Sequence, residues 1–208
     1  MCRLLGVVTS EPHTLPEVLG DQLDGYTELS HEHQHGWGIA ARRPDDTVDL
    51  TKGAEPAWTS PLYAETLRTT ISDQTIVHIR KASPDMPVVL KNCHPFVRTV
   101  PEGAGLASGQ QIAFEHNGFF EPSPRLRGWL RDHDGPQPEG DTDSELYFCL
   151  LLVHARTRDW PAAIEATVRQ IVADYELREA GDRPDSLNCL VSTPDAIYAY
   201  SQHEPRKL

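Results

Sequence analysis

Apolar residues along this chain change their spacing twice. In the first half they come in short runs set off by turn-forming residues. LLGVV (4–8) reads as a buried strand, apolar and partly β-branched. HGWGIAARR (35–43) reads as a glycine-bearing loop feeding a strand. PDD (44–46) supplies a turn before a second strand in TVDLTKG (47–53). A helix is predicted from Ser60 to Ile71, capped by Ser60, with Pro61 in its first turn and Leu62, Leu67 and Ile71 sharing a face. QTIVHIRKAS (74–83) is the clearest strand, and FVRTV (96–100) and QIAFEH (111–116) are two more, joined by the glycine-rich PEGAGLASGQ (101–110). GPQPEGDTD (135–143) is a further loop. Then the period becomes helical: Leu146, Cys149, Leu150 and Val153 recur on one face, as do Ile164, Val168, Ile171, Val172 and Tyr175, with a break near Asp159–Pro161. LNCLVST and AIYAYS close the pattern as two strands around a Thr-Pro-Asp turn. Strands precede helices and then return. The order is not a βαβ alternation, and it predicts an α+β fold of antiparallel sheets with helices packed outside them, as one domain over 1–208.

Charge narrows the function. A net charge of -12 argues against a nucleic-acid surface, which needs clustered Lys and Arg to displace counterions. A small molecule or a protein partner fits better. No run approaches the roughly 18 apolar residues of a membrane span, and no signal peptide is evident. The four cysteines, at 2, 93, 149 and 189, are too dispersed for a disulfide framework or a zinc ribbon, so a reducing cytoplasm is expected. SHEHQHG (30–36) offers three histidines at alternate positions, but without an HExxH pattern it is expected to be a solvated loop rather than a metal site.

The residues capable of chemistry each carry two readings. Cys2 either begins a buried strand or, once Met1 is removed, joins a thiol and a free α-amine on one residue. Arg80, ending an apolar strand, is either half of a surface ion pair or a planar fork for a ligand carboxylate. Asn117-Gly118 is either a turn or a pair of fixed donors for an oxyanion. Asp143 and Thr142 are alternative helix caps, and Asp143 in a cleft would instead receive an ammonium. Taken singly, each residue is best read structurally.

Taken together they resemble one family. MCRLLG, HGWGIA, HIRKAS, NCHPF, EHNG and GDTDSE occur in that order over residues 1–145. This series resembles the class II glutamine amidotransferases, N-terminal nucleophile hydrolases, and among them the small stand-alone type. The resemblance implies a four-layer αββα sandwich of two mainly antiparallel sheets, with the site at one end. It implies loss of Met1 and Cys2 as nucleophile, Asn117 and Gly118 as the oxyanion pair, Arg80 on the α-carboxylate of glutamine, Ser83 as a nearby hydroxyl contact, and Asp143 on the α-amino group. His94 falls in a family motif without an assigned role. No cofactor and no metal are implied. Cys93, Cys149 and Cys189 keep their structural reading.

The expected reaction is hydrolysis of the side-chain amide of glutamine or of a γ-glutamyl compound through a glutamyl thioester. An α-amine titrating at about 7.7–8.0 serves as base for its own thiol. Two alternatives stand beside it: a glutaminase subunit supplying ammonia to a separate synthetase, since a chain of 208 residues leaves no room for a synthetase domain, and an inactive amino-acid-binding relative. The end of the chain, AIYAYSQHEPRKL, is shorter than the resemblance leads one to expect, so a shortened C-terminus is a further expectation.

Overall fold

The computed structural model describes residues 2–100, 108–177 and 183–202. Most of the glycine-rich 101–110 segment therefore lies outside the described residues. Among these described residues eight strands appear in chain order: β1 (Arg3–His13), β2 (Trp37–Arg42), β3 (Val48–Gly53), β4 (Ser72–Ile79), β5 (Phe96–Thr99), β6 (Gln111–Phe119), β7 (Ser186–Ser192) and β8 (Ile197–Tyr200). Six α-helices accompany them: α1 (Leu15–Leu19), α2 (Asp21–Glu28), α3 (Pro61–Thr69), α4 (Pro124–Asp132), α5 (Asp143–His154) and α6 (Trp160–Glu176). The strands form two four-stranded sheets in the orders β1-β4-β2-β3 and β5-β6-β7-β8, antiparallel throughout.

Period-2 alternation explains why there are four layers. On the first sheet, Leu5, Val7, Trp37, Ile39 and Val77 turn outward and pack with Leu15, Leu23, Tyr63 and Leu67 of α1–α3. On the second, Ile112, Phe114, Leu187, Cys189 and Val191 turn outward onto α4–α6, where Phe114 stacks on Phe148 with centroids 5.1 Å apart. Helix α5 is apolar around most of its circumference because it is covered on several sides at once, from Leu146 to Val153. The inward faces meet through smaller side chains, Ala40, Ile76 and Ala113, with Val97, Leu190 and Ile197 at their margin. Gly6 permits that approach, since a Cβ there would sit 3.1 Å from Leu190 Cδ1.

Several expectations need correction. Helix α3 is capped by Ser60, whose hydroxyl accepts the Tyr63 N–H at 3.3 Å, but it ends at Thr69. Its buried face is Tyr63, Thr66 and Leu67, whereas Leu62 and Ile71 are exposed. Ile71 is outside the helix because β4 begins at Ser72. Strand β6 does not stop at 116: pairing with β7 carries it through Asn117↔Asn188 and Gly118↔Leu187, so Asn117-Gly118 is no turn. Helices α1, α2 and α4 were not foreseen. Among the described residues no helix is long and apolar enough to cross a membrane.

Candidate active site

The sheets part at the end where β1 begins, β4 ends and β6 leaves its sheet. Alternation along β4 sends Gln74, Ile76 and His78 into the space between the sheets, and Arg80 follows just beyond the strand. Arg80 is 3% exposed. One of its guanidinium nitrogens donates to His35 O at 3.1 Å. Among the described residues no carboxylate lies within ion-pairing distance of it. A buried cation with spare donors and no counter-ion is costly unless something arrives to neutralise it.

Residues from five separate stretches line one cleft around this cation: Cys2, Arg80, Ser83, His94, Gly118 and Asp143 are all part of its wall. The space left free between them is small, about 30 Å³. Asn117 is the predicted site residue left out of the lining; it lies one position back on β6, and its Oδ1 is buried without a hydrogen-bond partner among the described residues.

Cys2 extends β1 against the residue after Arg80. Its Sγ accepts the Lys81 N–H at 3.3 Å and lies 3.5 Å from Lys81 O. Burial pushes its thiol up, opposed by the Lys81 N–H and the Arg80 cation. The sulfur is therefore held as a neutral thiol and needs a base to become a nucleophile. Ser83 sits in the exposed rim, where its carbonyl accepts the Met86 N–H at 3.2 Å.

The HGWG stretch shapes the floor. A Cβ on Gly38 would lie 2.1 Å from His94 O, and one on Gly36, at φ 118°, would lie 2.5 Å from Cys93 Sγ. Both glycines let the 92–95 segment press onto the start of β2. The histidine tract is not simply solvated as expected. His33 is buried with Nδ1 2.7 Å from Leu29 O. The His35 ring accepts the Ala82 N–H at 2.9 Å, tying down the segment that carries Arg80 and Ser83. His31 alone stays exposed, stacked on Trp58.

His94 lies beneath the cleft. It stacks on His78 with centroids 4.3 Å apart and meets Phe96 edge-on. Burial, aided by His78 and His116 nearby, holds its pKa well below the ordinary imidazole value, so the ring is neutral at physiological pH.

The start of α5 settles the Thr142/Asp143 alternative. Thr142 Oγ1 accepts the Glu145 N–H at 3.2 Å and is the cap. Asp143 is thus the first helical residue, its Oδ2 accepting the Phe120 N–H at 2.9 Å. The approach to α5 is pinned from outside: Arg98 pairs with Glu145 at 2.7 Å, Glu145 Oε2 accepts the Gly140 N–H at 2.6 Å, and Asn92 Oδ1 accepts the Asp141 N–H at 3.0 Å. Gly118 approaches so closely that a Cβ there would fall 1.8 Å from Ser186 O.

Two buried polar residues on the cleft wall escaped sequence reasoning. His116 and Ser144 are buried and joined by a 2.9 Å contact between Nδ1 and Oγ. Both stand in motifs already singled out, one before Asn117 and one after Asp143, and that adjacency is the signal that could have found them. Among the described residues no group of three His, Cys, Asp or Glu side chains is arranged to hold a metal ion.

Comparison with known proteins bears on family and fold. The chain is 32% identical over 212 residues to an uncharacterized protein of Methanocaldococcus jannaschii, spanning all of this chain and 52% of that one. It is 30% identical to YafJ of Escherichia coli, whose name places it provisionally among the glutamine amidotransferases, covering 96% of this chain and 72% of YafJ. This chain thus spans about half the length of the archaeal relative and more of the bacterial one. Among solved structures, the glutamine aminotransferase class-II domain protein from Silicibacter pomeroyi superposes with a TM-score of 0.65 at 20% identity, over 97% of this chain and 79% of that one. The phosphoribosylpyrophosphate amidotransferase of B. subtilis gives 0.60 at 17%, over 93% and 35%. These two show the fold: an α+β sandwich of two antiparallel sheets with helices packed outside. The family described as class II glutamine amidotransferases matches residues 1–207, nearly the whole sequence, and the chain belongs to that family.

Proposed function

We propose that this protein hydrolyses the side-chain amide of glutamine or of a γ-glutamyl compound, with Cys2 as nucleophile after removal of Met1. The observation that carries the reading is the buried Arg80 cation, with no carboxylate at ion-pairing distance among the described residues, sharing a small cleft with the Cys2 thiol and the Asp143 carboxylate. Arg80 grips the substrate α-carboxylate, Asp143 receives its α-ammonium, and the γ-carbonyl is thereby set over Sγ.

The freed α-amine of Cys2 takes the thiol proton, directly or through one water, which a main-chain amide could not do. Sulfur attacks the carbonyl carbon, and the C–S bond forms as the carbonyl electrons move to oxygen. The Gly118 N–H and, after a side-chain rotation into the cleft, the Asn117 amide hold that oxyanion, each donor being worth about 3 kcal/mol. The intermediate collapses, the C–N bond breaks, and the ammonium proton returns to the leaving nitrogen. Water then cleaves the C–S bond of the thioester and releases glutamate. Ser83 contributes a hydroxyl at the rim, and neutral His94 supports the floor under Arg80.

Intact mass together with a glutaminase assay on wild type and Cys2→Ala tests the reading. Wild type is expected to lack Met1 and to release ammonia from glutamine or a γ-glutamyl amide, and Cys2→Ala to bind substrate without turnover. Full activity in Cys2→Ala would overturn it.

A further inference from the structure

His116 holds the Ser144 hydroxyl between two acceptors. Its Nε2 lies 3.1 Å from Ser186 O, a carbonyl that only accepts, so the proton of the neutral ring sits on Nε2. Nδ1 is then an acceptor and takes the Ser144 O–H at 2.9 Å. The same hydroxyl has a second acceptor within reach, Asp143 Oδ1 at 3.4 Å. A serine has one proton to give, and it serves only one of these at a time. Asp143 Oδ2 is already occupied by the Phe120 N–H. Oδ1 is therefore the oxygen with its full acceptor capacity free for a ligand while Ser144 points toward His116, and with one of its two lone pairs taken when the serine proton turns onto it.

From this geometry we infer that His116 is a positioning residue: it draws the Ser144 proton away from Asp143 and keeps one carboxylate oxygen bare for the α-ammonium of the substrate. This rests on the proposed role of Asp143. When His116 gains a second proton, Nδ1 becomes a donor, Ser144 Oγ must accept from it, and the serine proton turns onto Oδ1. The ammonium then meets an oxygen that is already hydrogen-bonded. Burial keeps His116 below the ordinary imidazole value, opposed by Asp143 and by the Ser186 carbonyl, so the open arrangement prevails at neutral pH. The groups around the ring are Asp143 and Tyr147 from α5, His78 from β4 and His94 from the 90–95 segment; the two histidines are held neutral by burial.

The test compares glutamine with glutaramate, the same amide without an α-amino group. His116→Phe frees Ser144 to bond Asp143, and KM for glutamine should rise about tenfold, the loss of one charge-assisted hydrogen bond, with kcat nearly unchanged. KM for glutaramate should not move. Adding Ser144→Ala removes the competing donor and should restore KM for glutamine; a double variant no better than His116→Phe would overturn the inference, because simple loss of packing is not cured by a second truncation. Should His116→Phe fail to fold, the pH profile decides. In wild type KM for glutamine should rise on acidification below the ordinary imidazole range, KM for glutaramate should stay flat, and Ser144→Ala should flatten the glutamine profile; equal slopes in wild type and Ser144→Ala would overturn it. If wild type binds glutamine and glutaramate equally at neutral pH, the assignment of Asp143 itself falls, and this inference with it.

Discussion

Two buried arginines occupy opposite ends of the space between the sheets. Arg42 ends β2 and Arg80 follows β4, and the antiparallel pairing of those strands puts them far apart. Their exposures are alike, 5% and 3%. Their partners are not. Arg42 donates to Asp46 O, Gln111 O, Ser192 O and Ser192 Oγ, at 2.8–3.1 Å, joining the β2–β3 turn to strands β6 and β7 of the facing sheet. Arg80 donates to His35 O. The larger cavity, about 310 Å³, lies at the Arg42 end, yet the end with little free space is the one where a cation keeps unused donors beside a thiol. Burial of a charge does not by itself mark a site. A charge whose two terminal nitrogens are taken up by carbonyl and hydroxyl oxygens is a staple, and one whose donors point into a cleft is a receptor.

Replacing the two arginines in turn sharpens this contrast most. Arg42→Met strands several buried acceptors and should lower stability by roughly 3–5 kcal/mol, read by denaturant unfolding, with activity per folded molecule unchanged. Arg80→Met should lower kcat/KM for glutamine about 10²-fold, near 2.7 kcal/mol, while stability changes by less than about 1 kcal/mol. A reversal of these two outcomes breaks the comparison.

Between the two ends lies Glu115, fully buried on β6, whose carboxyl burial pushes well above the carboxylate range, against the pull of the Leu5 N–H. The folded state keeps this proton where the unfolded chain has lost it. Stability contributed by the group is therefore complete below the ordinary value of about 4.5 and declines as pH rises above it. Glu115→Gln should remove that decline, raising the melting temperature at pH 7 and leaving it nearly unchanged at pH 4, with a smaller effect than either arginine change. The smallest effect is expected from Ser60→Ala, which removes the α3 cap: about 1 kcal/mol of stability and no change in kcat/KM.

Much of the molecule was legible where local physics dominates. The strands at 37–42, 48–53 and 96–99 and the paired helices α5 and α6 follow from period, turn residues and caps such as Asp159, whose carboxylate accepts the Ala162 N–H at 2.9 Å. Helix α4 also left a trace: Ser123 before Pro124, then Leu126, Trp129 and Leu130 at helical spacing. Helices α1 and α2 left less, because 5 and 8 residues give the period little room to repeat. The motif order pointed to Cys2, Arg80, Ser83, His94, Gly118 and Asp143, and those residues share one cleft.

The sequence alone determined where most strands and the helices α3, α5 and α6 lie and which residue types are available for chemistry, because turns, caps and side-chain period act over a few residues. It could not decide that Asn117-Gly118 stays within a strand, since that depends on β7, about 70 positions later. Nor could it decide that Thr142 rather than Asp143 caps α5, or that Ser144 faces His116. Those choices are made by contacts between segments far apart in the chain. Only the folded arrangement determines which buried polar groups are satisfied by the protein and which are left for a ligand.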